Sequence, residues 1–438
     1  MRPTIQSVRS CRRGSFYIFV LGTAMLLTVI GLSVLVLARL SVRTLQQADD
    51  STKAEVLAED AVEYALTLLN SNPNWRTAYS NGVETAPVPL GNGTIAFKLV
   101  DETDGNLAGK PGDPVRIYGT GRSGDATRIY SVRASGIEAL TCLNAALAVG
   151  GNLNGGTSHI AAGTSTIASN SDVHGGQANV TGTVEASGTV YPESWKLTGT
   201  MAGGVPLRGM PGNGVFDYYL NTGTSIDINS IPTVGGARTI EKRVISPASN
   251  PFSGGTNAKG IYVINCQNQP LVITNSRIVG TLVLINPGAG SRVGTGVAGD
   301  QQVNWVPAVS NYPCLLVQGD IILSFNKDAP AALKESDLAT NFNPSGTPYP
   351  YPSGATNTTT SDTYPSEIAG LVYVSGNATG DKYFPRIDLL VVGGAYTANN
   401  DTLTLSYDPT YLGMPPPGFT GVGPLAPDAA SWRWEKAP

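Results

Sequence analysis

The sequence predicts a mostly β protein with one long N-terminal α-helix: a small α+β unit, then a parallel β-solenoid, with β-sandwich domains as the alternative for the second part. Three observations predict it. Residues 15–38 carry no charge over 24 consecutive positions. From about residue 143 to 411, short β-branched runs bounded by Gly, Asn or Pro recur, which read as strands rather than helices. Glycine is 52 of 438 residues and charged residues are only 14%, so the chain beyond the apolar stretch is rich in turns and poor in charge. At this length two or three domains are expected. The boundaries read as a basic leader 1–14, a transmembrane helix 15–38, an amphipathic continuation 39–72 and a β-meander 73–140. A solenoid-like domain 141–412 follows, with a loop insert 343–366, and then an irregular tail 413–438.

The apolar stretch comes first because it decides the rest. At about 1.5 Å per residue it makes roughly 36 Å of helix, enough to cross a hydrocarbon core of about 30 Å. A secretory signal has an apolar core of only about 7–15 residues and ends at a small-residue cleavage box; here Arg39-Leu-Ser-Val-Arg43 follows directly. Phe16, Leu21, Leu26, Ile30, Leu35 and Ala38 mark the expected span. Arg2, Arg9, Arg12 and Arg13 precede it without an acid, whereas acids begin at Asp49 beyond it. The cationic bias predicts a single pass with the N-terminus in the cytoplasm and the remainder outside.

Residues 39–72 change to a helical period. Ala54, Leu57/Ala58, Ala61, Ala65 and Leu68/Leu69 fall on one stripe, and Asn70-Ser-Asn-Pro73 is a stop. Either one long helix or two with a break near residues 46–51 fits. Runs 94–100, 114–118 and 127–133 alternate apolar and polar residues between Gly, Asp and Asn turns, as in an antiparallel sheet with one buried face. The stripe and this face can cover each other.

The residues so far carry a resemblance. A basic leader ending in Arg12-Arg13-Gly14, an uninterrupted apolar helix, the Ala/Glu-rich Ala58-Glu-Asp-Ala-Val-Glu-Tyr-Ala65 and a β-meander resemble type IV prepilin-like proteins. The likeness covers about residues 8–138 and is narrowest to minor pilins and pseudopilins of type IV pili and type II secretion systems. It implies cleavage between Gly14 and Ser15 by prepilin peptidase, leaving Ser15 as the mature N-terminus. Such proteins usually begin with Phe or Met, whereas here Phe16 comes second. Phe19 stands where major pilins carry a glutamate, and its presence resembles the glutamate-free subset placed at a filament tip.

Beyond residue 143, segments such as Val149-Gly-Gly-Asn-Leu-Asn-Gly-Gly156 repeat a small turn and a short strand. That texture suits stacked coils of about 20–30 residues, roughly ten in all. Residues 343–366, rich in Pro, Ser, Thr and Tyr, read as a loop, with a short turn at 331–338 before it. After Pro415-Pro-Pro-Gly-Phe419 the chain reads as irregular, with Trp432 and Trp434 able to dock on the body.

Little chemistry is encoded in recognisable form. A net charge of −4 and the absence of a Lys/Arg-rich patch argue against nucleic acid. Gly119-Thr-Gly-Arg-Ser-Gly124 fits G-x-G-x-x-G, but a strand rather than a phosphate-binding helix follows, so it reads as a hairpin turn. His159 and His174 are the two histidines, lie outside any zinc spacing and read as turn residues. No G-x-S-x-G elbow and no D-x-[DN]-x-[DN]-G calcium loop is present. Asp217, Asp227, Asp300, Asp320, Asp388 and Asp401 are the acids that a sugar-cleaving groove would need in pairs, about 5–10 Å apart. Cys11 lacks the run that precedes a lipidated cysteine, while Cys142, Cys266 and Cys314 would face an oxidising space where one bond and one leftover thiol can form.

The expectation is therefore a bacterial, membrane-anchored, non-enzymatic structural or adhesion protein at the cytoplasmic membrane, without cofactor or metal. Its partners would be the lipid bilayer, other pilin-like subunits and a glycan or envelope ligand, with no nucleic acid. The alternatives are an anchored polysaccharide lyase or hydrolase and a plain cell-envelope surface protein.

Overall fold

The structure, a computed structural model, describes residues 13–72, 74–109, 112–294, 302–325, 332–344 and 357–436. It has two compact units: Met1–Ile137 with Val422–Pro438, and Glu138–Gly421. In sequence the second is an insertion into the first.

In the first unit, α1 (Arg13–Ser71) is a single helix of 59 residues, so the one-helix reading is the one realised. Four strands follow: β1 (Val88–Leu90), β2 (Gly93–Asp101), β3 (Val115–Ser123) and β4 (Ala126–Ala139). They form an antiparallel meander, with Phe97 opposite Gly119 and Gly119 opposite Tyr130. The predicted stripe is the docked face: Ala54, Ala58, Ala61, Ala65 and Leu69 are buried, and Leu57 and Leu68 at its margins are half-buried. Val62, Leu66 and Leu69 complete a core with Phe97, Leu99, Ile117 and Val132.

The C-terminal segment corrects an expectation. It is not an irregular tail: Thr420–Pro427 and Arg433–Glu435 are strands that both neighbour β4. Asn70 pairs with it as a strand would, accepting from Leu425 N at 2.7 Å and donating to Leu425 O at 3.0 Å. Trp432 and Trp434 lie against Tyr130 at 5.2 and 4.4 Å between ring centroids. Prolines are tolerated here because a sheet margin leaves amide positions without a ladder partner.

The second unit is a stack of parallel strands, not the antiparallel pair of sheets that a sandwich needs. One ladder runs through ten strands among the described residues. Its spatial order is 224–226, 261–265, 281–285, 315–318, 371–374, 389–392, 147–149, 167–169, 184–186 and 201–203. Two further ladders run beside it, so each coil has three faces. Leu147, Ile167, Leu282, Leu315, Val372 and Leu390 point into one continuous core.

This order is not the sequence order. The last coils pair with the first, Leu390 with Leu147 and Leu403 with Ile160. The two ends of the stack are consequently residues 190–203 and 224–245, and the chain enters and leaves at the middle. A coil needs only a neighbour on each side, so a stack can be filled outward in one direction and then back from the far end. The segment linking the two ends packs Val215, Phe216 and Tyr219 over the outer face of the first ladder, joined there by Tyr411 and Phe419. Burial on both faces explains why runs such as Cys314-Leu-Leu-Val317 are apolar without alternation.

One corner repeats along the stack. Gly376 N, Gly394 N and Gly151 N donate in turn to Gly319 O, Gly376 O and Gly394 O at 2.8–3.0 Å. Asp320, Asn377 and Asp172 each accept from a backbone N–H of the next coil at 2.7–2.9 Å. A Cβ at Gly150 would sit 2.2 Å from Gly393 O, so this corner requires glycine.

Part of the expected loop 343–366 lies outside the described residues. What is described is more ordered than a loop: Thr363–Pro365 pairs with Ala332–Lys334, and Leu333, Leu338, Phe342 and Tyr364 form a small core. Fully buried Glu335 accepts from Phe342 N, Asp362 N and Tyr364 Oη at 2.5–3.0 Å.

Candidate functional site: an uncharged, exposed helix

The site of first interest is the N-terminal part of α1. Phe16, Leu21, Leu26, Ile30, Leu35 and Ala38 all lie on it and all are exposed. The large apolar side chains from Phe16 to Leu37 are 47–77% exposed, on every side of the helix. An apolar surface of this length, without a polar side, is far beyond what a water-facing helix presents. This is the one helix among the described residues long and apolar enough to cross a membrane.

Its threonine hydroxyls and that of Ser33 are met within the helix. Thr23, Thr28 and Ser33 donate their hydroxyls to the carbonyls of Val20, Ala24 and Val29 at 2.5–3.0 Å. In hydrocarbon an unmet hydroxyl costs several kcal/mol, so these bonds fit the segment to lipid. Gly14 and Ser15 fall in the first turn of α1, while residues 1–12 lie outside the described residues.

Polar contacts appear where the helix meets its sheet. Asp50 accepts from Ser123 Oγ at 3.1 Å, and Arg128 reaches Glu55 at 3.3 Å and Ser51 at 2.6 Å. The G-x-G-x-x-G glycines belong to this contact. Gly119 and Gly121 lie within β3, where a Cβ would come 2.3 Å from Ala58 O and Ala54 O. Only Gly124, at φ +51°, is a turn glycine, so the hairpin-turn reading holds for one position and close helix approach explains the other two.

Among the described residues, no two of the candidate acids share a contact. Asp227 caps a short 3-10 turn through Asn229 N at 2.9 Å, Asp217 opens a short helix, and Asp320 serves the stack corner. Asp388 is buried and shares Arg386 with Glu367, at 2.7 and 2.9 Å. Burial pushes the Asp388 carboxyl up, against the pull of Arg386. Asp300 and the side chain of Asp401 lie outside the described residues.

His159 and His174 are on strands rather than in turns; His174 stacks on Tyr191 at 4.9 Å and lies 3.6 Å from Glu193. Cys142, Cys266 and Cys314 are free and buried, so the bond that an oxidising space would allow is not formed. Burial pushes the Cys142 and Cys266 thiols up to about 12.

Two features were missed by sequence reasoning. The stack corner opens into a groove of about 570 Å³ lined by Asn268, Asn286, Gln318, Asp320 and Asn377. Its only trace in sequence is the recurrence of Gly-Asp and Gly-Asn after apolar runs. The second is a cluster of Asp101, Asp104 and Asp113, whose trace is an acid-rich turn with spacing unlike the calcium loop sought.

Fold and site together define a β-rich chain that carries one long, exposed, membrane-length helix. No family model and no curated protein matches the chain. Among solved structures, it is similar to the competence-associated pilin ComZ from Thermus thermophilus, with 11% identity, a TM-score of 0.31, and coverage of 88% of this chain and 97% of that one. A TM-score at that level does not establish a shared fold.

Proposed function

We propose that the chain is a membrane-anchored, pilin-like structural or adhesion protein, a minor component of a type IV pilus or type II secretion-like assembly. The observation that carries this reading is the continuity of α1. Its first half is uncharged and exposed all round, and its second half is packed on the meander of the same unit. In the lipid the helix has no hydrophobic driving force to leave, and in a filament the same surface packs on the helices of other subunits.

In this reading Gly14 and Ser15 are the processing site, and Phe19 removes the intramembrane charge that draws ordinary subunits together. The N-terminus lies in the cytoplasm and both compact units lie outside. The coil stack acts as a rigid β-solenoid that presents its faces to a ligand. The amide-lined groove supports a glycan or envelope ligand, since Asn, Gln and Asp side chains can pair with hydroxyls on both donor and acceptor sides.

Mass spectrometry of the mature N-terminus tests the processing step. The reading expects Ser15 as the first residue in cells with active prepilin peptidase and a retained leader in cells without it. Intact Met1 in both strains rejects it.

A further inference from the structure

We propose that Asp101, Asp104 and Asp113 form a calcium site at the connection between β2 and β3. Each offers one carboxylate oxygen within 4.8 Å of the others. Oxygens that share a calcium ion at about 2.3–2.6 Å can be no further apart than about 5 Å, so this spacing admits one ion.

The cluster alone would be an ordinary acidic turn. What distinguishes it is buried carboxylate oxygen that is left without a donor. Asp101 is only 3% exposed. Its Oδ1 accepts from Thr103 N at 2.7 Å and Asp104 N at 3.3 Å, whereas its buried Oδ2 has no hydrogen-bond partner among the described residues. Asp113 Oδ2 is likewise buried and, among the described residues, without a partner. An uncompensated carboxylate oxygen out of water is costly, and a bound cation removes the cost.

Among the described residues, the neighbouring charges do not fill this role. Glu102, next in sequence, is already paired with Arg116 at 2.6 Å. Arg76 directs its guanidinium at the carbonyl oxygens of Leu107 and Asp113. Attracted to Asp101 and Asp113, it adds one positive charge to the three carboxylates, which among the described residues leaves two negative charges for a divalent ion. The donor set is all oxygen, which favours calcium or magnesium over zinc or copper. Magnesium demands near-octahedral contacts at about 2.0–2.1 Å, whereas calcium accepts irregular oxygen cages, so calcium is the ion proposed.

The loop is built to hold this arrangement. Asp104 Oδ1 accepts from Asn106 N at 2.9 Å, and Gly105 sits at φ +74°, which turns the chain back toward Asp101.

Calorimetric titration of the detergent-solubilised full chain, stripped with chelator, tests the proposal with calcium and with magnesium. One calcium per chain is expected, with a thermal midpoint raised by about 5–10 °C at a hundredfold excess over Kd. Asp104→Asn, at an exposed position, should weaken calcium binding by at least about tenfold while the circular dichroism spectrum is unchanged. Asp113→Asn serves as the second variant if Asp101→Asn fails to fold. Absence of heat and of thermal shift at about 10 mM calcium, ten times the weakest Kd of extracellular calcium modules, overturns the site. Wild-type affinity in Asp104→Asn and Asp113→Asn, or equal affinity for magnesium, overturns it as well.

Discussion

Gly121 and Gly119 set how near α1 comes to its sheet, because the carbonyls of Ala54 and Ala58 occupy the space where a side chain would stand. Gly121→Val should therefore cost about 2–3 kcal/mol or more, read by urea unfolding of the solubilised chain. Gly22→Val is the control, since nothing lies within 4 Å of Gly22. The alanine stripe of the helix was legible in the sequence, and so were the glycines. Their pairing was not, because it joins positions more than sixty residues apart and no local rule couples them. The thiols give a second test at this scale. With Cys142 and Cys266 held up to about 12 by burial and Cys314 also raised by it, none is a thiolate at neutral pH. Native protein should leave these three cysteines unlabelled by iodoacetamide in peptide mass mapping, and denatured protein should label all of them.

Among the elements, α1 was the most legible. An uncharged run of membrane length is too long and too evenly apolar for a core helix, and an alanine stripe shows which side docks. Leu26→Arg places a cation near the middle of the run, at a cost of about 2.5–3.5 kcal/mol for insertion. The fraction of chain resisting alkaline extraction from membranes should fall sharply in that variant, while Leu412→Arg, exposed in the second unit, should leave it unchanged. The C-terminal strands were the least legible. Thr420–Pro427 has neither alternation nor β-branched enrichment, and it is a strand because β4 offers a partner and Asn70 holds Leu425. Backbone pairing of that kind leaves no compositional mark.

At the scale of the whole molecule, the strand-and-turn texture announced stacked coils, but not their order. Each coil reads alike from either direction, so the sequence carries no mark of the return that joins Leu390 to Leu147. The interleaving makes a prediction about stability. Strands at the middle of the stack have neighbours on both sides, and those at the ends have one. Hydrogen exchange should be slowest at 147–149 and 389–392 and fastest at Val190–Tyr191 and Met201–Gly203, which are the partly or fully exposed end strands. A sequential stack would instead place residues 147–149 at an exchanging end.

The central claim is that residues 15–38 are held in a membrane with both folded units on its outer side. Protease added to intact spheroplasts tests it most directly. The account predicts loss of everything beyond the apolar stretch, with a short fragment containing residues 15–38 left in the membrane. Full-length chain that survives the protease, or that leaves the membrane in soluble form with residues 15–38 still attached, would contradict it.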